Sequence, residues 1–567
     1  MMPRVREAPS PAEPIGHRLP PIGTDQETRQ QQAAQPEPAK ESVAKASGRM
    51  AIATLVSRIT GFAWKVMLAW VAGLSIVYDS FTVANTLPLV VNELLLGGVL
   101  TTVVVPMLVR SQDDSDGGLA FTQQLVTMAA SILFVGTVLA TAGAPVLVWL
   151  FMGGNENASP ELATAFAYLL LPGLLCYGMF AVLTAILNAK QYFGPAQWAP
   201  VVNNVVIFIA IGLYTIVPGD PTVNPLQMSD PKLLVLGGGV LTAMTSQALY
   251  LFRPLYRSGF RFKWRWGLDS RLKEFGGLAA WVFGYVGLTQ LGVMFNIRIL
   301  TGAAPGSAAT YSNAWLLFQL PYGVIGVSLL TALLPRMSRA AANGDHTKLV
   351  SDLSYGSRLT SLILLPISAI MTVAGPSIGV ALFAFGNSSV DSAAQLGRAL
   401  AMCSFGLVPF ALVMLQMRVF YSMKDSRSPT LIMAVMIAVK IPLLYLAGNL
   451  LEEQNVVLGV MLTEALVYVV GAVLGQVWLW VKIGSLRSRR IVGVILFTVV
   501  ASALGALAAA VTGMAVPDSL TGAAGAWIRL TLQGIVGMGV SFGLLLALRV
   551  DELAPVTQRI SSMLRRS

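Results

Sequence analysis

Apolar residues dominate this chain after residue 48, in runs of about twenty residues separated by short polar segments. Each run is long enough to cross, as a helix, a hydrocarbon core about 30 Å thick. We number the runs as spans 1 to 14, with boundaries good to about four residues: 50–74, 80–109, 121–149, 162–188, 199–217, 233–252, 275–301, 310–334, 358–384, 396–422, 430–449, 456–481, 491–515 and 526–549. The pattern predicts an all-α polytopic membrane protein with about fourteen transmembrane helices.

The basic residues between the spans predict its orientation. With the N-terminus inside, the outer loops hold only Lys232 and Arg398. The inner loops hold the rest: Arg110, Lys190, Arg253, Arg257, Arg261, Lys263, Arg265, Arg271, Lys273, Arg336, Arg339, Lys348, Lys424, Arg427, Lys482, Arg487, Arg489 and Arg490. Because cytoplasmic loops are enriched in Lys and Arg, this asymmetry predicts an even helix count with both termini cytoplasmic.

An internal repeat is indicated by proline positions. The offsets between matching prolines of the first and second halves are 233 (88 to 321), 229 (106 to 335) and 237 (172 to 409), which agree within about two turns of helix. Six spans separate the copies, so both point the same way through the membrane, as in parallel repeats with a cavity between the halves. Chance recurrence of proline at helix ends is the alternative.

The predicted organisation follows from these patterns. We expect a disordered cytoplasmic N-terminal tail, an N-lobe of spans 1 to 6, a basic amphipathic linker, a C-lobe of spans 7 to 12, a pair of spans 13 and 14, and a cytoplasmic C-terminal tail. The expected bounds are 1–48, 49–256, 257–274, 275–483, 484–550 and 551–567.

Composition narrows the classes of function. The chain is 55% hydrophobic and 11% charged, where a soluble domain carries about a quarter charged residues. The net charge is +11, but the Lys and Arg residues lie between apolar runs rather than on a soluble basic face. This distribution argues against a nucleic-acid partner. Cys176 and Cys403 both lie inside apolar spans, so we expect neither a disulfide framework nor a zinc site.

Ionisable residues inside the spans are candidate functional residues, because a charge at bilayer depth needs a partner or a polar cavity. Arg58 and Lys65 lie seven residues apart on one face of span 1, and Asp79 and Glu93 lie on span 2. Glu93 is a candidate partner for either basic residue, as a structural ion pair or beside a bound anion. Further polar candidates for the same cavity are Gln290, Asn296, Arg298 and Gln319. Arg298 equally suits the outer headgroups, where long basic side chains can reach.

A second candidate site lies in the other half of the chain. Lys440 on span 11 and Glu464 on span 12 have opposite charges on adjacent predicted helices. They are interpreted as a static ion pair or as a proton or cation coupling site.

The basic run from Arg253 to Lys273 is interleaved with aromatic residues. It is typical of a segment lying on anionic lipids of the inner leaflet, although topology alone also explains it.

Catalytic signatures are scarce in the sequence. The acidic cluster Asp113, Asp114 and Asp116 has no supporting ligands and favours a solvated turn over a magnesium site. The chain contains no P-loop, HExxH or GxSxG motif. We therefore expect a transporter without an ATP site, metal or other cofactor.

Short motifs along residues 50 to 550 resemble the MurJ (MviN) family of lipid II flippases, within the multidrug/oligosaccharidyl-lipid/polysaccharide exporter superfamily. The motifs that carry the resemblance, each weak alone but specific in this order, are Ser57-Arg58, Gly61-Phe62-Ala63, Asp79, Phe81, Leu87-Pro88, Gly98, Val105-Pro106, Ala185-Ile186-Leu187-Asn188, Pro195, Ala199-Pro200, Asn203-Asn204, Pro321, Gly323-Val324, Gly326-Val327, Leu333-Leu334-Pro335, Phe420-Tyr421-Ser422, Asp425 and Pro429.

The resemblance implies fourteen helices in two lobes, a cationic central cavity, alternating access and a groove at spans 13 and 14 for a polyprenyl tail. It implies lipid II as the substrate and makes cell-wall synthesis or division proteins candidate partners. Arg58 and Asp79 match family positions needed for function. Lys440 stands on the helix where relatives can bind a sodium ion, so its ammonium group is a candidate occupant of that place.

The chain departs from the family pattern at several charged positions. Trp64-Lys65 stands where the family usually has Arg-Asp, and Asn92-Glu93 replaces a pair of arginines. In span 8 the usual charges fall at Trp315, Leu316 and Gln319, which are uncharged. The cavity is thus less basic than the family pattern, with Arg58, Lys65 and Arg298 left to recognise a diphosphate.

Three hypotheses follow. The first is a lipid II flippase of the bacterial cytoplasmic membrane, driven by an ion gradient, the membrane potential or downstream consumption. The second is an exporter of another polyprenyl-linked glycan or of a drug, although a cationic drug favours an acidic cavity. The third is a membrane scaffold or a polyprenyl-phosphate enzyme.

Overall fold

The structure is a computed structural model that describes residues 39–97, 104–155, 158–218, 230–267, 276–484, 486, 488–517 and 522–547. Within these residues every regular element is a helix and there is no strand. It divides into Met1–Ile52 and a second compact unit, Ala53–Ser567. The first unit is described only where it begins the first helix, and the remainder of this section concerns the second unit.

Nineteen α-helices follow one another in the described residues. They are α1 Ala39–Ala72, α2 Ile76–Asn92, α3 Val105–Arg110, α4 Leu119–Ala142, α5 Ala144–Met152, α6 Pro160–Leu170, α7 Gly173–Ala189, α8 Phe193–Ile216, α9 Pro231–Arg257, α10 Gly276–Thr301, α11 Ser307–Pro321, α12 Val327–Ala342, α13 His346–Phe383, α14 Val390–Ser404, α15 Leu407–Ser422, α16 Arg427–Leu450, α17 Val456–Ile483, α18 Ser488–Met514 and α19 Gly522–Ala547.

The membrane-spanning elements confirm a polytopic, all-α protein. Ten helices are individually long and apolar enough to cross a bilayer, and two bent pairs, α6 with α7 and α14 with α15, raise the number to as many as 12 in the described residues. Predicted spans 2 and 8 fall on helices interrupted by π turns, Glu93–Gly97 after α2 and Tyr322–Gly326 after α11. The described residues thus support 10 to 12 spans, and the count of fourteen stays a prediction.

The irregular elements recur at the offset predicted from the prolines. The π turns begin at Glu93 and Tyr322, 229 residues apart. The bent pairs break before Gly173 and Leu407, 234 residues apart, with bends of 47° and 54°. Because π turns are rare and usually mark functional positions, their matched recurrence supports an internal repeat rather than chance prolines.

The predicted tail and linker agree only partly with the structure. Residues 39–48, assigned to the disordered tail, form the first turns of α1, whose alanines and lysines favour a helix. Residues 1–38, part of the linker (268–274) and the C-terminal tail (551–567) lie outside the described residues. In the predicted tail groove, α18 and α19 pack against each other and against α13.

The buried core shows how the two lobes meet. We call "outer" the end of the bundle where α1 ends and α2 begins, following the predicted orientation. One large cluster of buried apolar residues joins both lobes there, running from Val66–Ala69 and Val77–Val90 to Ala308–Phe318 and Val456–Ala465. At the inner end the described residues form two separate clusters, one made by α3, α4, α7, α8, α9 and Phe260, the other by α12, α13, α15, α16, α17 and Leu486. The lobes are therefore packed together outside and separately packed inside.

Candidate functional site

Arg58 of α1 lies at the junction of the lobes. Its guanidinium packs against Gly323 in the π turn Tyr322–Gly326, so closely that any side chain at position 323 would overlap it. The side chain is exposed and forms no ion pair or hydrogen bond with another described residue. A charge at this depth without a protein partner is costly in lipid, so it requires water or a bound anion.

Lys65 and Glu93 do not form the predicted ion pair. Lys65 is half-buried, with its amine 6.0 Å from the centroid of the Trp64 ring. The exposed carboxylate of Glu93 instead folds against Gly97 of its own π turn. Both residues are described, and no ion pair joins Glu93 to Lys65 or to Arg58. Glu93 is the first residue of the π turn Glu93–Gly97, and its carboxylate contacts the end of that turn rather than α1.

Arg418 on α15 was missed by the sequence analysis. Its side chain is exposed although Met417 and Val419 beside it are buried. It lies within electrostatic range of the hydroxyl of Tyr322, as does Arg58 from the other lobe. Within the described residues Arg418 has no ion-pair partner. The signal was available, because Arg418 falls inside predicted span 10 and the rule applied to Arg58 applies equally to it.

Asp79 connects the lobes at the outer end. Its carboxylate accepts hydrogen bonds from the backbone N–H groups of Gly306, at 2.6 Å, and Ala309, at 2.7 Å. These groups begin α11, so Asp79 on α2 caps a helix of the other lobe and meets its positive dipole. Gly306 has φ +89°, and a side chain there would collide with the carbonyl of Leu74. The sequence placed Asp79 in the cavity, whereas the structure makes it a contact between lobes.

Further contacts surround this cap. Trp70 donates from Nε1 to the carbonyl of Leu382 at 2.9 Å, and Asn387 donates from Nδ2 to the carbonyl of Val71 at 2.6 Å. Arg298 donates to the carbonyl of Leu150 at 3.1 Å. We call Asp79, Trp70, Asn387 and Arg298, with the groups they bind, the outer clamp. Arg298 is thus apart from Arg58, closing the outer end.

Lys440 and Glu464 form a buried ion pair in the C-lobe. The amine of Lys440 lies 2.7 Å from Oε1 of Glu464, and both side chains are more than 90% buried. The same oxygen accepts from Nδ2 of Asn296 at 2.5 Å and from the hydroxyl of Tyr311 at 3.0 Å. Helices α10, α11, α16 and α17 each supply one group. This confirms the predicted proximity of Lys440 and Glu464 and assigns Asn296 to their network rather than to the cation of α1.

Gln290 and Gln319 are half-buried and make no hydrogen bonds to other described residues. Near Gln319, aromatic rings occupy the face where the family pattern has charges. Trp315 stacks on Phe318 with centroids 4.9 Å apart, and lies parallel to Tyr311 and Tyr468 at 6.2 and 6.1 Å. This aromatic packing replaces a charged surface on α11 and connects the Glu464 network to Tyr322.

The chain was compared with known proteins. The family model described as "Lipid II flippase MurJ" matches residues 68–522. A "Probable lipid II flippase MurJ" of Rhizobium meliloti is 26% identical over 397 residues, covering 69% of this chain and 72% of the relative. A "Lipid II flippase MurJ" of Burkholderia cenocepacia is 26% identical over 384 residues, covering 66% and 72%.

Two solved structures share the fold. A lipid II flippase MurJ in an inward closed conformation superposes with a TM-score of 0.69 at 17% identity, covering 87% of this chain and 97% of that one. An inward-facing multidrug resistance MATE transporter superposes with a TM-score of 0.62 at 16% identity, covering 76% and 96%.

Proposed function

This chain belongs to the lipid II flippase MurJ family, and from this premise we propose that it carries lipid II from the inner to the outer leaflet of the bacterial cytoplasmic membrane. Lipid II is an undecaprenyl diphosphate that bears the peptidoglycan building block. The single observation that carries the mechanism is the pair of cations at the lobe junction. Arg58 and Arg418 both lie near Tyr322, and neither has an anionic partner among the described residues.

A diphosphate suits this pair. Guanidinium groups form two parallel hydrogen bonds to phosphate oxygens and remain charged at any physiological pH. Because Arg58 belongs to the N-lobe and Arg418 to the C-lobe, a diphosphate held by both arginines would connect the lobes. Its binding would draw the separately packed inner ends towards each other, while Lys65 extends the positive side of α1. The polyprenyl tail stays in lipid beside α18 and α19.

Alternating access then requires the outer clamp to open. Among the described residues the lobes share their large apolar core at the outer end, so the transition must exchange this contact for one between the inner clusters.

One alternative is export of another polyprenyl-linked glycan, or of a drug, by the fold that this chain shares with a multidrug resistance MATE transporter. The basic groups at the lobe junction favour an anionic head group over a cationic drug. A lipid-linked glycan other than lipid II therefore stands as the second candidate.

The test is depletion of the protein in its host, followed by labelling of lipid II exposed on the outer leaflet. We expect depletion to lower the amount of exposed lipid II and wild-type protein to restore it. Arg58→Ala, present at normal membrane levels, should fail to restore it. Gly323→Ala should also restore less exposed lipid II than wild type, because the added methyl group displaces the Arg58 guanidinium without removing its charge.

Lys348→Ala, which removes an exposed charge at the inner surface, is the matched control and should restore exposure fully. Unchanged lipid II exposure on depletion would reject the flippase assignment and favour the glycan exporter. Full rescue by Arg58→Ala would reject the cation mechanism alone.

A further inference from the structure

Two arginines project from the inner end of α9. Arg253 and Arg257 are four residues apart, so they lie on one face of the helix, and both are exposed. Neither forms an ion pair with a described residue. Two basic residues at the same end of the C-lobe are neutralised instead, because Arg336 pairs with Asp352 at 2.8 Å and Lys482 pairs with Asp425. The arginines of α9 therefore present uncompensated charge.

These arginines line a pocket of about 460 Å³. Its other wall is formed by Tyr192, in the turn between α7 and α8, and by Pro195, in the first turn of α8. The turn is held in place, because Lys190 donates from Nζ to the carbonyl of Ser258 at 3.2 Å and the backbone N–H of Tyr192 donates to the carbonyl of Leu187 at 2.8 Å. Lys190 therefore ties the two walls of the pocket together.

Another arginine nearby shows the contrast with a structural role. Arg261 lies over the ring of Tyr256 at 5.1 Å and donates to the carbonyl of the same residue at 3.3 Å. Its charge is used to fold the segment after α9. Arg253 and Arg257 make no such contact with described residues, so their charges remain available to a ligand.

The surroundings indicate the ligand. Leu249 and Tyr250, which also line the pocket, are 60% and 40% exposed, and Phe252 next to them is 41% exposed. A soluble anion needs no apolar border, whereas a phospholipid places its phosphate beside basic groups and its chains along apolar ones. Tyrosines at this level are typical of the membrane interface.

We propose that this pocket binds the headgroup phosphate of an anionic phospholipid from the inner leaflet, between Arg253 and Arg257. The proposal goes beyond lipid II transport and does not depend on it. The basic run as a whole attracts anionic lipids without a defined site, whereas the proposal assigns a phosphate contact to two particular residues.

The experiment is native mass spectrometry of the detergent-solubilised full chain, titrated with phosphatidylglycerol or phosphatidylethanolamine. The first equivalent of phosphatidylglycerol should bind more tightly than phosphatidylethanolamine. The double variant Arg253→Gln, Arg257→Gln should weaken it about tenfold or more, because each basic group near a phosphate contributes measurably. The matched control Lys263→Gln, Arg265→Gln removes the same charge from exposed positions outside the pocket and should change binding by less than about twofold.

Three results would overturn the proposal: equal weakening in both double variants, equal affinity for the two lipids, or competition by soluble glycerol phosphate at the concentrations at which the lipid binds. The last would make a free phosphorylated solute the ligand. Because the readout is lipid binding, it is independent of whether the protein transports lipid II.

Discussion

At the scale of single residues, Arg418 should matter as a ligand for the diphosphate. Arg418→Gln removes the charge that acts on Tyr322 from the C-lobe but keeps a polar, shorter side chain. Since a charge-assisted hydrogen bond is worth roughly one factor of ten in affinity, we expect lipid II to bind about tenfold more weakly. Binding of lipid II to the purified protein measures this. Lys348→Gln, with the same charge loss at the inner surface, should bind normally, and equal affinities for Arg418→Gln and wild type would contradict the assignment.

Lys440 should act as a fixed internal cation for Glu464. Lys440→Ala leaves a buried carboxylate with only Asn296 and Tyr311 as donors, a loss that costs about 3–5 kcal/mol for buried pairs in general. A small monovalent cation can occupy the vacated position. We therefore expect sodium chloride to raise the thermal stability of Lys440→Ala relative to choline chloride, and to leave wild type unchanged.

The double variant Lys440→Met, Glu464→Gln is the control, because it removes both charges and should show no sodium effect. It should also be more stable than Lys440→Ala, since no charge is left buried. If Lys440→Ala melts at the same temperature in both salts and transports normally without sodium, Lys440 does not stand in for an ion.

At the scale of elements, Asp79 should bias the lobes towards the inward conformation. Asp79→Asn replaces an acceptor oxygen of the α11 cap with an amide group and removes the charge that faces the helix dipole. A lost cap costs about 0.5–2 kcal/mol, which corresponds to a shift of roughly two- to thirtyfold towards the outward state.

Spin labels at Lys263 and His346, exposed residues at the inner ends of the two lobes, would report the shift as a new population at shorter distance. The two native cysteines are first replaced by alanine. Asp230→Asn is the matched control, because Asp230 caps α9 through the N–H of Lys232 at 2.8 Å within one lobe. An unchanged distance distribution in Asp79→Asn would show that the cap does not hold the outer clamp.

The elements also show what the sequence could predict. Helices were predictable because twenty-residue apolar runs have few alternatives in a membrane, and proline spacing predicted the repeat that the π turns now display. The pairing of Lys440 with Glu464 was predictable because opposite charges on adjacent spans attract. The partners of Asp79, Arg298 and Glu93 were not, because each depends on a π turn or on a contact between distant helices that linear spacing does not reveal.

At the scale of the whole molecule, the distribution of the core defines the conformational change. One apolar cluster joins the lobes outside, and two clusters keep them apart inside. Burial of apolar surface stabilises the closed end, so opening it must be compensated by new burial at the other end. The free-energy difference between the two conformations then stays small enough for substrate binding to shift the populations.

The direction of transport depends on which end of this core faces the cytoplasm. The Lys and Arg residues of the inner loops predict that the separately packed ends of the lobes face the cytoplasm. Substrate would then enter from the inner leaflet. Positions 346 and 453 are both exposed and lie at opposite ends of the bundle. His346→Cys and Glu453→Cys, each introduced alone into protein that lacks the two native cysteines, distinguish the two orientations in intact cells. A membrane-impermeant maleimide should label Glu453→Cys and spare His346→Cys until the membrane is permeabilised. The reverse pattern would place the outer clamp in the cytoplasm, and Arg58 and Arg418 would then face substrate arriving from outside, which a flippase of the inner leaflet cannot accommodate.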